Sequence, residues 1–185
     1  MQIAVIGAGP LGRRLALQCA QAGLRVVLED VMPANLRHAE MELARLDRGA
    51  ENLTFASSIE SAVRQADIVI DFVPDELESK LEIFCLLDRM APPRTILCTP
   101  TRAMSITDLA SCTYRSEKCV AIRGTKGNEL AIADAATVEI HRGPACSVET
   151  VAAVDALLQR LGKGTSVHDD AMPVALVGSE RFRQQ

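Results

Sequence analysis

Nothing in this sequence approaches the roughly 20 consecutive apolar residues that a membrane-spanning helix needs. The N-terminus, MQIAVIGAGPLG, has no basic segment ahead of a long apolar core, and glycines interrupt it at once. Neither a membrane span nor a secretory leader is expected. The six cysteines, at 19, 85, 98, 112, 119 and 146, form no C-x-x-C pair and fall short of a disulfide framework. They read as reduced, mostly buried side chains of a cytoplasmic protein. Cys98 ends an apolar run and could serve as a nucleophile facing a cleft; burial is the reading taken. Lysine is scarce, four against sixteen arginines, and those arginines are scattered without a basic stripe. With a net charge of −4, neither nucleic acid nor an anionic membrane is an expected partner. No internal repeat and no low-complexity linker divides the chain.

What is present is the composition of one soluble domain, 48% hydrophobic over 185 residues, long enough to bury a core. Short apolar runs alternate with helical patterns. Strands are expected at Gln2–Ile6, Arg25–Asp30, Leu53–Ala56, Asp67–Phe72, Thr95–Cys98, Val120–Arg123, Thr137–His141 and Thr165–Val167. Helices are expected over Leu11–Ala22, from Pro33 to about Arg48, from a Ser57/Glu60 capping box to about Gln65, and over Ser147–Leu161. Asp75 can cap the helix that carries Leu77, Leu81, Phe84 and Leu87, and Ser105 with Asp108 caps a short one. The alternation predicts an α/β, doubly wound, mostly parallel sheet with helices on both faces. Gly124–Ala136 and the segment from Ala171 have no clear pattern.

Gly7-Ala8-Gly9-Pro10-Leu11-Gly12 is G-x-G-x-x-G, directly after a strand and opening a helix. Asp30 follows 23 residues after Gly7, at the end of the next strand. In that context Gly7 permits the tight turn, Gly9 lets a pyrophosphate approach the backbone, and Gly12 lets helix and strand pack closely. The helix N-terminus offers free amides to the phosphates. Asp30 would accept hydrogen bonds from the adenosine ribose and repel a 2′-phosphate, favouring NAD over NADP.

Together with "VVLED", "ADIVIDFVPDELESKLEIF" and "VEIHRG", this opening resembles the NAD-binding domain of the L-3-hydroxyacyl-CoA dehydrogenase family. The resemblance runs from Met1 to about Val177, implying a dinucleotide-binding domain over 1–177 and a tail over 178–185. It implies a cofactor site formed by Gly7, Gly9, Pro10, Leu11, Gly12, Asp30, Val73, Asp75 and Lys80. Asp75 takes the place of a glutamate near the nicotinamide. Glu139 takes the place of the glutamate that orients the catalytic histidine.

The departures from the family fall where its chemistry should be. Its substrate-contacting serine becomes Arg102, its catalytic histidine becomes Arg123, and its substrate-site asparagine would fall on Val177. Where Glu29 stands, the family usually has an apolar residue. The family continues into a helical domain that closes the site and forms the dimer, whereas this chain stops at Gln185.

Oxidising a 3-hydroxy group needs a base, and arginine, whose pKa exceeds about 12, cannot serve. Glu139 and His141, two apart on a strand, point to one face, so His141 is a candidate replacement base. Arg102 and Arg123 can pair with Glu139 or hold a carboxylate or phosphate. His168-Asp169-Asp170 reads as a polar turn rather than a metal site, and His38 as solvent-facing; no metal is expected.

Three readings stand. The chain is an NAD(H)-binding domain that has lost dehydrogenase chemistry, with an acyl-CoA or other anionic small molecule as a further ligand. Alternatively it is an active oxidoreductase on a 3-hydroxyacyl-CoA or small 3-hydroxy acid, completed by rearranged residues or a partner subunit. Or it is a fragment of a larger enzyme. The resemblance implies a place in fatty acid metabolism. A homodimer is the expected assembly.

Overall fold

The structure, a computed structural model, describes residues 1–45 and 49–170. Its elements run β1 (Gln2–Ile6), α1 (Pro10–Gln21), β2 (Arg25–Glu29), α2 (Pro33–Leu43), β3 (Leu53–Ala56), α3 (Ile59–Val63), β4 (Ile68–Asp71) and α4 (Leu77–Met90). They continue with β5 (Ile96–Pro100), α5 (Ile106–Ala110), β6 (Cys119–Arg123), β7 (Thr137–Arg142), α6 (Val148–Arg160) and β8 (Gly164–Asp169).

One sheet holds all eight strands in the order β3-β2-β1-β4-β5-β6-β7-β8. The six from β3 to β6 are parallel; β7 runs antiparallel to β6, and β8 parallel to β7. Strands buried on both faces explain the unbroken apolar runs. Ile3, Val5, Val120, Val138 and Ile140 pack with Leu15 of α1 and Val154 and Leu158 of α6. On the opposite face Ala4, Ile6, Val69, Leu97 and Ala121 pack under Val63, Phe84 and Leu109 from α3, α4 and α5. Strand order reverses between β1 and β4, and the crevice outside the carboxyl ends of the strands at such a reversal is where doubly wound sheets bind ligands.

Several local expectations need correction. The Ser57/Glu60 box does not form. Ser58 takes an extended backbone and its Oγ accepts from the Ser61 amide at 3.4 Å, so α3 starts one residue later. Asp75 does not cap α4: Glu76 is the N-cap, without a side-chain bond, because the Asp75 carboxylate is turned towards Arg102. Leu77 stays 54% exposed; the buried stripe of α4 is Lys80, Ile83, Phe84 and Leu87.

Helix α2 ends at Leu43 because the chain returns to α1, where Asn52 Nδ2 donates to the Ala20 carbonyl; Arg48 lies outside the described residues. His168 and Asp169 are the end of β8 rather than a turn, since β7 and β8 keep register as far as Arg142 and Asp169. Asp170 then anchors α5, accepting from the Ser105 and Thr107 hydroxyls and the Thr107 amide. Val177 and the tail from Ala171 lie outside the described residues.

Candidate cofactor site and catalytic crevice

Between β1 and α1 the glycine-rich turn is held by backbone contacts at Gly7 and Gly12 and by the Asp30 and Arg13 side chains at Ala8. Gly7 takes φ +96° and its amide donates to the Glu29 carbonyl at 2.8 Å. A Cβ on Gly12 would stand 2.0 Å from the Gly7 carbonyl oxygen, so only glycine permits this contact between turn and helix. Around Gly9, the N-cap of α1, nothing lies within 4 Å of where a Cβ would be, and no side chain caps the helix. The first-turn amides of α1 therefore face open space, the arrangement that receives phosphate.

Asp30 stands at the end of β2, 8% exposed. Its Oδ2 accepts from the Ala8 amide at 2.8 Å and from Asn35 Nδ2 at 2.9 Å, and its Oδ1 from the Met32 amide at 2.7 Å. These bonds lock the carboxylate at the rim of a cleft of about 340 Å³ that Gly7, Glu29, Asn35, Ile59, Val73 and Ile83 also line. Glu29 is 2% exposed. Burial, with the Asp30 charge beside it, pushes its carboxyl up to about 7.

A second cleft, of about 200 Å³, shares Gly9, Phe72, Val73 and Pro74 with the first and extends to Pro10, Leu11, Gly12, Asp75 and Lys80. Lys80, one of its lining residues, is tied into a buried ion pair: its Nζ lies 2.7 Å from Asp71 Oδ1, with side chains 1% and 0% exposed. Burial raises the Asp71 pKa, and Lys80, the Thr99 hydroxyl and the Val73 amide oppose that rise. Asp75 accepts from the Arg102 amide at 3.0 Å, with the guanidinium 3.7 Å away. Among the described residues its buried Oδ1 has no partner.

At the carboxyl end of β6, Arg123 and Glu139 are register partners across the antiparallel β6–β7 pair, yet their side chains do not bond directly. His141 lies between them: its Nε2 is 2.8 Å from Glu139 Oε2, and its Nδ1 3.4 Å from Arg123 Nη1. Burial above all, with the Arg123 charge, lowers the His141 pKa against the opposing pull of Glu139. A neutral ring fits both contacts, Nε2–H donating to Glu139 and Nδ1 accepting from Arg123. His141 is 8% exposed and stacks on His168, with centroids 5.2 Å apart. Arg123 Nη2 donates to the Met104 carbonyl at 3.1 Å, and its buried Nε has no partner among the described residues.

The crevice thus brings together Gly7, Gly9, Pro10, Leu11, Gly12, Asp30, Val73, Asp75 and Lys80, while Arg123, His141 and Glu139 form a separate cluster. Cys98 is buried and its thiol is pushed up by burial, so it is no nucleophile. His38 is exposed. Among the described residues no three His, Cys, Asp or Glu side chains are placed to hold a metal ion, and no helix is long and apolar enough to cross a membrane.

Sequence reasoning missed Asn35, which holds Asp30, and Leu130, which lines the crevice from the segment that had no pattern. It also missed that Glu29 faces inwards, although strand alternation from Val27 carried that signal. The open space at Gly9 and the uncapped helix terminus are what a dinucleotide's pyrophosphate requires of a protein.

Known proteins agree with this geometry. Residues 2–171 match the family described as 3-hydroxyacyl-CoA dehydrogenase, NAD binding domain. The protein described as "Probable 3-hydroxybutyryl-CoA dehydrogenase" of Bacillus subtilis (strain 168) is 33% identical over 186 residues, which cover 93% of this chain and 63% of that protein. A 5-formyl-3-hydroxy-2-methylpyridine 4-carboxylate 5-dehydrogenase of Mesorhizobium japonicum is 27% identical, covering 86% of this chain and 54% of that protein. The chain therefore spans less than two thirds of each of these relatives. The crystal structure of the Escherichia coli K12 3-hydroxybutyryl-CoA dehydrogenase superposes with a TM-score of 0.83 at 26% identity, covering 92% of this chain and 38% of that one. With the glycine turn, the acid after β2 and the strand reversal all in place, the chain belongs to the 3-hydroxyacyl-CoA dehydrogenase NAD-binding domain family, and NAD is its cofactor.

Proposed function

We propose that this chain is an NAD(H)-binding domain whose own residues do not support oxidation of a 3-hydroxyacyl-CoA, and that it works as a binding, sensing or partner module. The observation that carries this is the Arg123–His141–Glu139 cluster. The position expected of the base is a guanidinium held by the Met104 carbonyl and His141. The neighbouring imidazole is buried, with both nitrogens engaged. A general base must reach the proton it takes, and neither His141 nitrogen is free to do so. Bound NAD would supply a hydride acceptor; the missing element is the proton acceptor. Its loss costs about 10²–10⁴-fold in rate, roughly 3–5 kcal/mol of barrier.

The test is NADH formation from 3-hydroxybutyryl-CoA by the purified protein. Turnover below about 1 s⁻¹, the low end of ordinary enzymes, is expected, and faster turnover would overturn this reading. One observation favours a second reading: Glu139 does hold an imidazole, at 2.8 Å, so a rotated His141 could act as the base. In that case the wild type turns over and His141→Ala abolishes it.

Arg102, 65% exposed and paired loosely with Asp75, is the guanidinium available for an anionic group of an acyl-CoA or similar ligand; the two Nη atoms of Arg123 are held by His141 and the Met104 carbonyl.

At the other end of the crevice, Asp30 favours NAD because its locked carboxylate meets the adenosine ribose and repels a 2′-phosphate. Asp30→Ala is expected to weaken NADH binding by about tenfold and to narrow the gap between NADH and NADPH in calorimetry. Equal or tighter NADPH binding by the wild type would remove that role.

A further inference from the structure

Glu29 is a carboxyl without an evident task. It lies on the sheet face between its register partners Ile6 of β1 and Ala56 of β3, and lines the cleft next to Asp30 with Ile59, Val73 and Ile83. The residue is 2% exposed, and its Oε1 is buried with no hydrogen-bond partner among the described residues. A buried carboxyl left unpaired is costly, and an aliphatic side chain would suit these apolar neighbours. Glu29 itself borders the space where the ligand of Asp30 belongs.

We propose that Glu29 is a further binding residue for the cofactor, presenting its carboxyl as a hydrogen-bond donor to the adenosine moiety of NAD(H). This rests on the assignment of that cleft to adenosine. Three features favour the donor form. The neighbouring β1, β3, α3 and α4 side chains, Ile6, Ala56, Ile59 and Ile83, carry no charge. The charged neighbour is Asp30, an anion that accepts from Ala8, Met32 and Asn35 and does not pair with Glu29. The cofactor adds the negative charge of its pyrophosphate. A second carboxylate in that setting meets only repulsion, whereas a carboxylic acid can donate to a ring nitrogen or ribose oxygen.

The sign of the pH dependence follows. Burial and the Asp30 charge push the free protein's carboxyl up to about 7, and the added negative charge of the complex pushes it further in the same direction. Binding therefore takes up a proton above neutrality and weakens as pH rises, by up to about tenfold per pH unit. Glutamine keeps a neutral donor at the same place and does not titrate.

The experiment is NADH titration of wild type, Glu29→Gln and Glu29→Val by calorimetry, from about pH 6 to about pH 8.5. Wild-type affinity is expected to fall across this range, Glu29→Gln to stay near the acid-limit affinity throughout, and Glu29→Val to be flat and weaker. The same fall in wild type and Glu29→Gln, a flat wild-type profile, or Glu29→Val binding as tightly as wild type at low pH would each overturn the role of Glu29. NADH binding that does not respond to Asp30→Ala would instead show that the adenosine end lies elsewhere, and the proposal would fall with that assignment.

Discussion

Lys80→Met is expected to lower the free energy of unfolding by about 3–5 kcal/mol, the usual cost of removing one partner from a buried ion pair. Both side chains are essentially inaccessible and bonded at 2.7 Å, so the variant leaves Asp71 charged in the core or forces it to take up a proton. Methionine matches the aliphatic stem of lysine, which separates the charge from packing. Urea unfolding measures the loss, and the double variant Lys80→Met/Asp71→Asn should recover most of it, since a well-packed neutral pair is often no less stable than the ion pair. A double variant as unstable as Lys80→Met would place the cost in packing instead.

Gly12→Ala is expected to abolish NADH binding in the accessible range, a loss of about a hundredfold or more, equivalent to roughly 3 kcal/mol. The added Cβ would stand 2.0 Å from the Gly7 carbonyl oxygen, and the obstacle is backbone, which cannot rotate away as a side chain would. The turn must open, the amides at the start of α1 lose their aim, and stability falls as well. Gly9→Ala is the informative contrast. Gly9 has φ −60° and nothing near its Cβ position, so alanine fits the folded protein and should leave its melting temperature unchanged. It occupies the space into which phosphate comes, so NADH binding should still weaken. Tight NADH binding by Gly12→Ala would contradict the close packing of α1 on the turn.

Much of the cofactor half was legible because its determinants are local. A strand, a glycine turn, a helix start and an acid at the next strand end are fixed by backbone sterics and by period within some thirty residues. The six parallel strands and the helices between them were readable for the same reason: continuous apolar runs and 3.6-residue stripes are properties of single segments. The errors fell where a short-range rule competes with a distant partner. Asp75 satisfies the local rule for a helix cap, but the Arg102 backbone, 27 residues away, takes its carboxylate. The polar run at 168–170 satisfies the local rule for a turn, but pairing with β7 draws it into a strand.

The Arg123–His141–Glu139 cluster shows the same division at higher stakes. The chain's chemistry alone determines that position 123 cannot be a base, since a guanidinium keeps its proton under any fold. Strand periodicity alone puts Glu139 and His141 on one face. Which of the two meets Arg123 depends on antiparallel register and side-chain reach across the β6–β7 pair, and there His141 makes the contact although Glu139 is the register partner of Arg123. The protonation state of Glu29 likewise depends on burial against β1, β3, α3 and α4 and on the Asp30 charge, and that of His141 on burial between β6 and β8 and on Glu139 and Arg123, segments that come together only on folding. Residue type and spacing determined the fold and the ligand class; packing and desolvation, which no single segment carries, decided which carboxyls and imidazoles have a hand free.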